Sequence, residues 1–524
     1  MERITIEQLQ VRSRFILSSI KDCYIKASFG GHVQARIVAE VKAEQAGMVL
    51  TKVDEDKVEI VSVSREEGGG IRQKLIFSGM VHKIRLQEEG KYTLLTLEAV
   101  SSSWRMDIRK KSRSFQNIKR SYQQVVEMVL SDYGATLSGE IADRKLEYPL
   151  IQYRETDFVF LKRIFSHLGE GIGIHYLSSG ISLFSGNYVG RNQGEIRLDE
   201  CVHMQLPFYT SKGDLTAIGY VLEDMDIASI GDAVTIEGKE YRIKEMEAGF
   251  VGNLLSCRWK VFPKSCFKVE KQPAITLKDA VLTGEVLQTG QEKVRLHLQM
   301  DEEQSKEEAY DFPWLPITGN LLYCMPEVGT KVALRFVEGK EEKPMVVYNL
   351  RENGETCKEL GECNSRYLTT AGQKRMYAKP EEMGLINLKE KNAKMALKDG
   401  NSLTIKTKNK LSILAKGQVE LKGKQVSLTT PQEATLVRKD MLSPTVINLC
   451  NAFDAIGKTG NFAAAPKSIE KKRKRTMPGS GQQEPYSMED VIEHIFANIP
   501  SEVEDNPALE AIAGGMPIVT RLKR

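Results

Sequence analysis

Cysteine is scarce in this chain, with eight among 524 residues. That is too few for the dense disulfide framework that holds small secreted scaffolds together. Cys357 and Cys363 are the only close pair. Their Cys-x5-Cys spacing is not that of a structural zinc site, and no histidine stands beside them. All eight are expected to be reduced thiols in a protein made and assembled in the cytosol. Long apolar runs are missing too: none approaches the roughly 18–20 residues of a transmembrane helix. The opening MERITIEQLQVRSRF lacks the apolar stretch of a secretory signal, so export is expected to use some other route. Charge of one sign is also lacking. Lysine and arginine number 74 against 70 acidic residues, and a net charge of +4 identifies no partner. The rest is ordinary globular usage, 41% hydrophobic and 27% charged, over a length that suits about three or four domains.

What the chain does have is a repeat. Apolar pairs recur every eight residues: Met395/Leu397, Leu403/Ile405, Leu411/Ile413 and Val419/Leu421, with a last pair, Val426/Leu428, arriving one residue early. Within a pair the spacing is two, which places both side chains on one face of a strand. Lys, Asn, Gly, Thr and Asp stand between the pairs. Two inward residues per turn are too few for one chain to enclose a core, so stacked layers or partner chains must cover them. Three chains wound together bring six aliphatics to each layer. At about 1.5–3 kcal/mol per buried side chain, a layer gains on the order of 10 kcal/mol before chain entropy is subtracted. The competing reading is a lysine-rich β-hairpin stack on an ordinary domain. Ten lysines against Glu390, Asp399 and Glu420 give Leu385–Thr430 a local charge near +7. That surface reads as a solvated face that keeps strand edges apart, with anionic lipid or nucleic acid as the alternative.

Residues 1–268 read as one unit: a β region, a helical insert at about 115–170, and a second β region. Strands are expected at Val58–Val63 and Thr93–Val100, then at Ile172–Tyr176, Asp232–Ile236 and Tyr241–Ile243. The insert holds two helices. One starts at Ser121 with Val125, Val126, Met128, Val129 and Leu130 on one side. The other follows Thr156 as N-cap, with Phe158, Leu161, Ile164, Phe165 and Leu168 at helical spacing. Residues 274–350 read as five short strands, with turns at Gly290, Gly329 and Gly339, which suits a small Greek-key barrel of the OB type. A polar connector, 351–384, leads to the repeat at 385–430. Residues 431–524 form an irregular C-terminal tail with a basic stretch, Lys471–Arg475, and an amphipathic segment around Val491, Ile492, Ile495 and Phe496.

Five segments stand out: Trp104 with Arg113-Ser114-Phe115-Gln116, then Gln152-Tyr153-Arg154-Glu155-Thr156-Asp157-Phe158 running through Phe160-Leu161-Lys162-Arg163 to Gly169, and three in the barrel. Those three are Phe312-Pro313-Trp314, Pro326–Val332, and Lys343-Pro344 with Tyr348-Asn349. On these segments the chain resembles the spike of contractile injection machines: the valine-glycine repeat protein G (VgrG) of type VI secretion and the fused hub and spike of contractile phage tails. The likeness spans roughly residues 1–430. The octads depart from the family in lacking its regular Val-x-Gly, since only Gly400, Gly417 and Gly423 fall among them. The resemblance implies a tandem-barrel hub and a homotrimer that meets the tail tube and baseplate proteins. Its needle would point at a target membrane, with a tip protein or effector at the C-terminal end. It also implies assembly in the cytoplasm as part of an injection particle that is delivered outward on firing.

Several fragments look like active sites in isolation. Gly457-Lys458-Thr459 resembles the end of a P-loop, but Ala452 stands where its first glycine belongs. Gly169–Gly173 reads as a helix cap and turn rather than a dinucleotide loop. His167 and His175 straddle a helix end and a strand, and read as packed or surface histidines rather than a shared metal site. Glu155 and Asp157, a carboxylate pair in appearance, are expected to favour the positive end of the following helix. The barrel aromatics Tyr310, Phe312, Trp314, Tyr323, Phe336 and Tyr348 lie among acidic residues, which argues against single-strand binding. The interval from Asn349 to Leu385 is too short for a lysozyme domain. The expected chain is therefore mainly β and non-enzymatic. It has a tandem-barrel hub with a helical insert, an OB-type barrel, an intertwined trimeric β-helix needle and the tail. No cofactor, metal or specific nucleic acid is expected.

Overall fold

The computed structural model describes residues 4–425 except for 43, 45–46, 48–55, 66–69, 90–91, 179, 198–202, 210–214, 319–322 and 390–392. It also describes Ser427 and the strands Thr435–Arg438 and Thr445–Asn448. The chain divides into two compact units, with the boundary between Glu352 and Asn353. Val426, Leu428, the P-loop-like triplet, the basic stretch and the amphipathic segment near Val491 lie outside the described residues.

In the first unit, the two β regions expected as tandem barrels are hydrogen-bonded into one twelve-stranded sheet. Its first half comprises Leu9–Arg12, Leu17–Ser28, Gln34–Val41, Lys57–Arg65, Ile71–Glu89 and Tyr92–Ser101. The second comprises Asn192–Ile196, His203–Tyr209, Leu215–Met225, Ala233–Ile236, Lys239–Val251 and Leu254–Phe262. The seam is antiparallel, Ser28 opposite Glu245 and Tyr24 opposite Gly249. Alternation sorts the faces: Ala35, Ile37, Ala39 and Val41 point into the core while Gln34 and Arg36 face out. The core is shared, since Ile25, Ile37 and Leu97 of the first half belong to one cluster with Ile243, Met246 and Val261 of the second.

The insert interrupts the sheet where the sequence period changes. Helix α1, Tyr122–Ser131, starts with Ser121 accepting from the Gln124 amide, and the Gln124 side chain returns to the Ser121 amide. This capping box satisfies two otherwise orphaned donors. Val125, Val126, Val129 and Leu130 are buried, but Met128 falls off that face and is exposed. Helix α2, Asp157–His167, is capped by Thr156, whose hydroxyl accepts from the Val159 amide. It ends with Gly169 at φ +73°, where the Gly169 amide donates to Ser166 and the Glu170 amide to Phe165. That is the left-handed stop expected of a glycine just past a helix, so this glycine run is a cap and turn.

The barrel region has strands Val281–Gly290, Lys293–Leu298, Asp311–Pro313, Lys331–Phe336 and Pro344–Asn349. The first pairs with both the second and the fourth, the second with the third, and the fourth with the fifth. A parallel bridge from Trp314 to Val346, with the Leu315 amide donating to the Val346 carbonyl at 2.8 Å, brings the third strand beside the fifth and closes the ring.

In the second unit, the stretch read as a connector contains strands. Arg366–Thr369, Lys374–Ala378 and Glu382–Asn387 continue into Lys394–Lys398 and Ser402–Lys406 as a five-stranded antiparallel meander. Two reversals use left-handed residues, Gln373 in one and Gly400 with Asn401 in the other. From 407 to 425 the described residues pair with no strand.

Candidate functional site

Two features of this chain carry functional weight, one in each unit. The first is the joint between the helical insert and the barrel, built from two of the segments on which the family resemblance rests. Strand Lys110–Phe115 pairs with Leu150–Thr156, and both present polar groups to the barrel. The Ser114 amide and hydroxyl donate to the two oxygens of Asp301, and Gln116 donates to the Leu296 carbonyl and accepts from the Tyr310 amide. Burial pushes the Asp301 carboxyl up, against the hydrogen bonds from Ser114.

At the centre lies a buried charge cluster. Arg163 of α2 is 2% exposed. Its Nη2 donates to Glu155 at 2.8 Å and to the Ile151 carbonyl at 2.9 Å, and its Nη1 donates to Glu341 of the barrel at 2.5 Å. Glu341, also 2% exposed, accepts from the Ile151 amide with its other oxygen. Burial pushes the Glu341 carboxyl up, and the Arg163 guanidinium pulls the other way. Ile151 has no exposed surface and lies in the barrel's core with Leu277, Leu296 and Val346. His167 completes the joint, its Nε2 3.3 Å from the Gln272 carbonyl and its Nδ1 buried without a partner. That places the proton on Nε2 as donor. Burial and then the nearby Arg163 and Lys271 charges lower its pKa to about 4.

Glu155 and Asp157 part company. Glu155 faces Arg163, while Asp157 turns to the other side of the insert. There it accepts from Arg113 at 2.8 Å, from the Tyr133 hydroxyl at 2.6 Å and from Gln152 at 2.8 Å, and pairs with Lys111 at 2.7 Å. Burial pushes this carboxyl up, but the hydrogen bonds from Lys111, Tyr133 and Gln152 outweigh it and hold it below the usual range. Asp157 does sit in the first turn of α2, as expected. The second network, which ties that turn to the preceding strand, had no local signal in the sequence. His175 packs against Phe184 and Tyr188, away from His167. Among the described residues no cluster of His, Cys, Asp and Glu is placed to hold a metal. Phe312, Trp314 and Phe336 are buried in the barrel, whereas Tyr323 and Tyr348 are exposed.

The second feature is one face of the meander. The register puts Met376 opposite Leu385, Leu385 opposite Met395, and Met395 opposite Ile405. Met383 lies opposite Leu397, and Leu397 opposite Leu403. All these side chains share one face, and each is 44–55% exposed in the single chain. Leu411, Ile413, Val419 and Leu421 beyond it are 53–76% exposed. The opposite face is finished within the chain. Tyr377 is buried over Gly384 and Ala396, with its hydroxyl 3.1 Å from Glu382 and Lys394 above its ring. The meander thus buries Tyr377 and Ala396 on one side and lines the other with long, half-exposed aliphatics.

The comparisons with known proteins bear on both features. Residues 39–176 match the phage tail baseplate hub (GPD) family model, a span that includes the α2 motif and the insert's side of the joint. Two structures of the PdpA–VgrG complex share the fold. The lidless form has a TM-score of 0.53 at 8% identity, covering 77% of this chain and 98% of the other. The half-lidded form, from Francisella, has 0.51 at 8%, covering 77% and 88%. The fold is that of a VgrG-type hub and spike. The resemblance read from the hub and barrel segments therefore holds at the level of fold. An E. coli type VI secretion component, described as similar to T4 phage tail proteins gp27 and gp5, also aligns. Its TM-score is 0.48 at 11% identity, over 65% of this chain and all of that one. No curated protein sequence matches the chain.

Proposed function

We propose that this chain is a homotrimeric, non-enzymatic hub and spike of a bacterial contractile injection system, joining a tail tube and baseplate to a membrane-piercing needle. The observation that carries this reading is the meander's open aliphatic face, from Met376 to Ile405, which one chain leaves half in water. Threefold packing of three such faces gives a closed prism, with Tyr377, Lys379, Lys394 and their neighbours outside as a charged coat. Two β regions per chain would give six around the axis and suit a six-fold tube above a three-fold needle. The OB-type reading of the barrel is supported by its five strands and the parallel Trp314–Val346 closure. The buried joint would hold the barrel to the hub when the particle drives forward. Assembly in the cytoplasm, delivery on firing, and a tip protein or effector at the C-terminal end belong to the same reading. A contractile prophage baseplate spike is favoured equally by the phage hub match at 39–176. The purified chain should have a mass near three times 58.9 kDa by light scattering. A stable monomer at micromolar concentration would refute the proposal.

A further inference from the structure

We propose that the outer face of the first half of the twelve-stranded sheet binds a neutral saccharide. A cavity of about 560 Å3 opens there, within the range of small-ligand sites. Tyr24, Gln34, Arg36, His82, Glu98 and Trp104 line it. Strand register explains how they meet. Arg36 lies opposite Tyr24 on one side and Glu98 on the other, so three neighbouring strands send these side chains to one face. Strand Ile71–Glu89 adds His82 through a bulge: Val81 pairs with Ala99 and Lys83 with Glu98, which leaves His82 as the extra residue. A bulge re-aims a side chain, and here the His82 ring lies 5.5 Å from that of Trp104. His32 also packs edge-on to Trp104, at 5.3 Å, and is itself fixed by Ser103 at 2.9 Å and Asp107 at 3.3 Å. The indole is therefore set in place before any ligand arrives.

The charges of the cavity are already matched. Arg36 donates to Asp22 at 3.0 Å, and Glu98 lies 3.7 Å from Lys83. An anionic lipid, a nucleic acid or an acidic peptide meets no surplus cation there. The unmet groups are uncharged: the Trp104 indole N–H, the Gln34 side-chain amide and the His82 ring nitrogens have no hydrogen-bond partner among the described residues. A purely apolar guest would bury them unpaired, at a cost. A proline-rich peptide, which aromatic grooves also receive, brings mainly carbonyl acceptors. It would leave Glu98, the Gln34 carbonyl and the accepting nitrogen of His82 unserved. A sugar ring serves both kinds of group. Its hydroxyls donate and accept, so they pair with either end of Gln34, with Arg36, with Glu98 and with the indole N–H. Its C–H face stacks on the flat apolar surface of Trp104 or Tyr24.

Trp104 also supplies the reporter. It is the partly exposed one of three tryptophans, since Trp259 and Trp314 are 3% and 6% exposed. The full chain is titrated with neutral trisaccharides of glucose, galactose, mannose and N-acetylglucosamine, beside trigalacturonate and a polyproline peptide. Titration calorimetry and acrylamide quenching of the tryptophan emission follow binding. Saturable binding of at least one neutral trisaccharide, with the emission protected from acrylamide, is expected. Gln34→Ala and His82→Ala remove exposed side chains, so the melting temperature should hold while affinity falls about threefold to tenfold in each. Binding of none of the neutral trisaccharides would overturn the proposal. So would tighter binding of trigalacturonate or polyproline, or an affinity unchanged in both variants.

Discussion

Glu341→Ala tests whether the insert and the barrel are held together by their buried charges. The carboxylate has two partners, the Arg163 guanidinium and the Ile151 amide, both at 2.5 Å and both buried. Truncation leaves Arg163 with Glu155 and the Ile151 carbonyl alone, and leaves the Ile151 N–H without an acceptor. A buried donor stranded in this way costs about 1–3 kcal/mol. Breaking a buried ion pair from one side costs about 3–5 kcal/mol in total. Glu341→Gln keeps an oxygen for one partner and should lose less, about 1–3 kcal/mol. The neighbouring Glu342 pairs at 3.3 Å with an exposed Lys271, so Glu342→Ala should cost about 0–1 kcal/mol and serves as the control. Urea denaturation at matched protein concentration gives the ordering. Limited proteolysis across residues 268–274, between the second β region and the barrel, gives the location. Equal stability of the alanine variants at 341 and 342, with unchanged cleavage, would refute the reasoning.

His167 predicts an acid-sensitive joint. Its pKa is lowered to about 4, so the fold holds the neutral ring; the contribution is complete above the unfolded value and is lost as pH falls towards the folded one. Between pH of about 6.5 and about 4, roughly 3 kcal/mol should disappear, and His167→Gln should flatten that part of the melting-versus-pH curve. Ile405→Asp sets three carboxylates in one layer of the proposed trimer. It should cost several kcal/mol, read as a lower melting temperature and lost protease resistance; an unchanged melt would contradict inward placement. Gly384→Val drives a side chain into the Met395 carbonyl and the Tyr377 hydroxyl, so the meander should lose about 1–3 kcal/mol, measured by thermal melting of the full chain.

The helices and the first two octads, which lie on strands Lys394–Lys398 and Ser402–Lys406, were legible because their signals are local. Ser121 with Gln124, Thr156 with Asp157, and Gly169 after Leu168 fix helix ends within a few residues of sequence. The meander before residue 385 was not legible. Leu368, Met376, Met383 and Leu385 share a face with the octads, but unequal intervals and the intervening Gly372 and Pro380 break any period. The joint escaped for a different reason. Arg163 and Glu341 are 178 positions apart, and nothing near either announces the other. The motif around Gln152–Arg163 was recognised as a pattern, while its purpose, supplying one side of a buried contact, emerges only when the barrel is seen against it.

Ile151 has a consequence for how this chain can be divided. A residue of the insert forms part of the barrel's interior, so a cut near residue 270 would leave a hole in one piece and a naked aliphatic on the other. Genetic exchange that fitted a new second unit to this first unit would survive more readily with its crossover beyond Asn349, carrying the twelve-stranded sheet, the insert and the barrel forward as one inherited block.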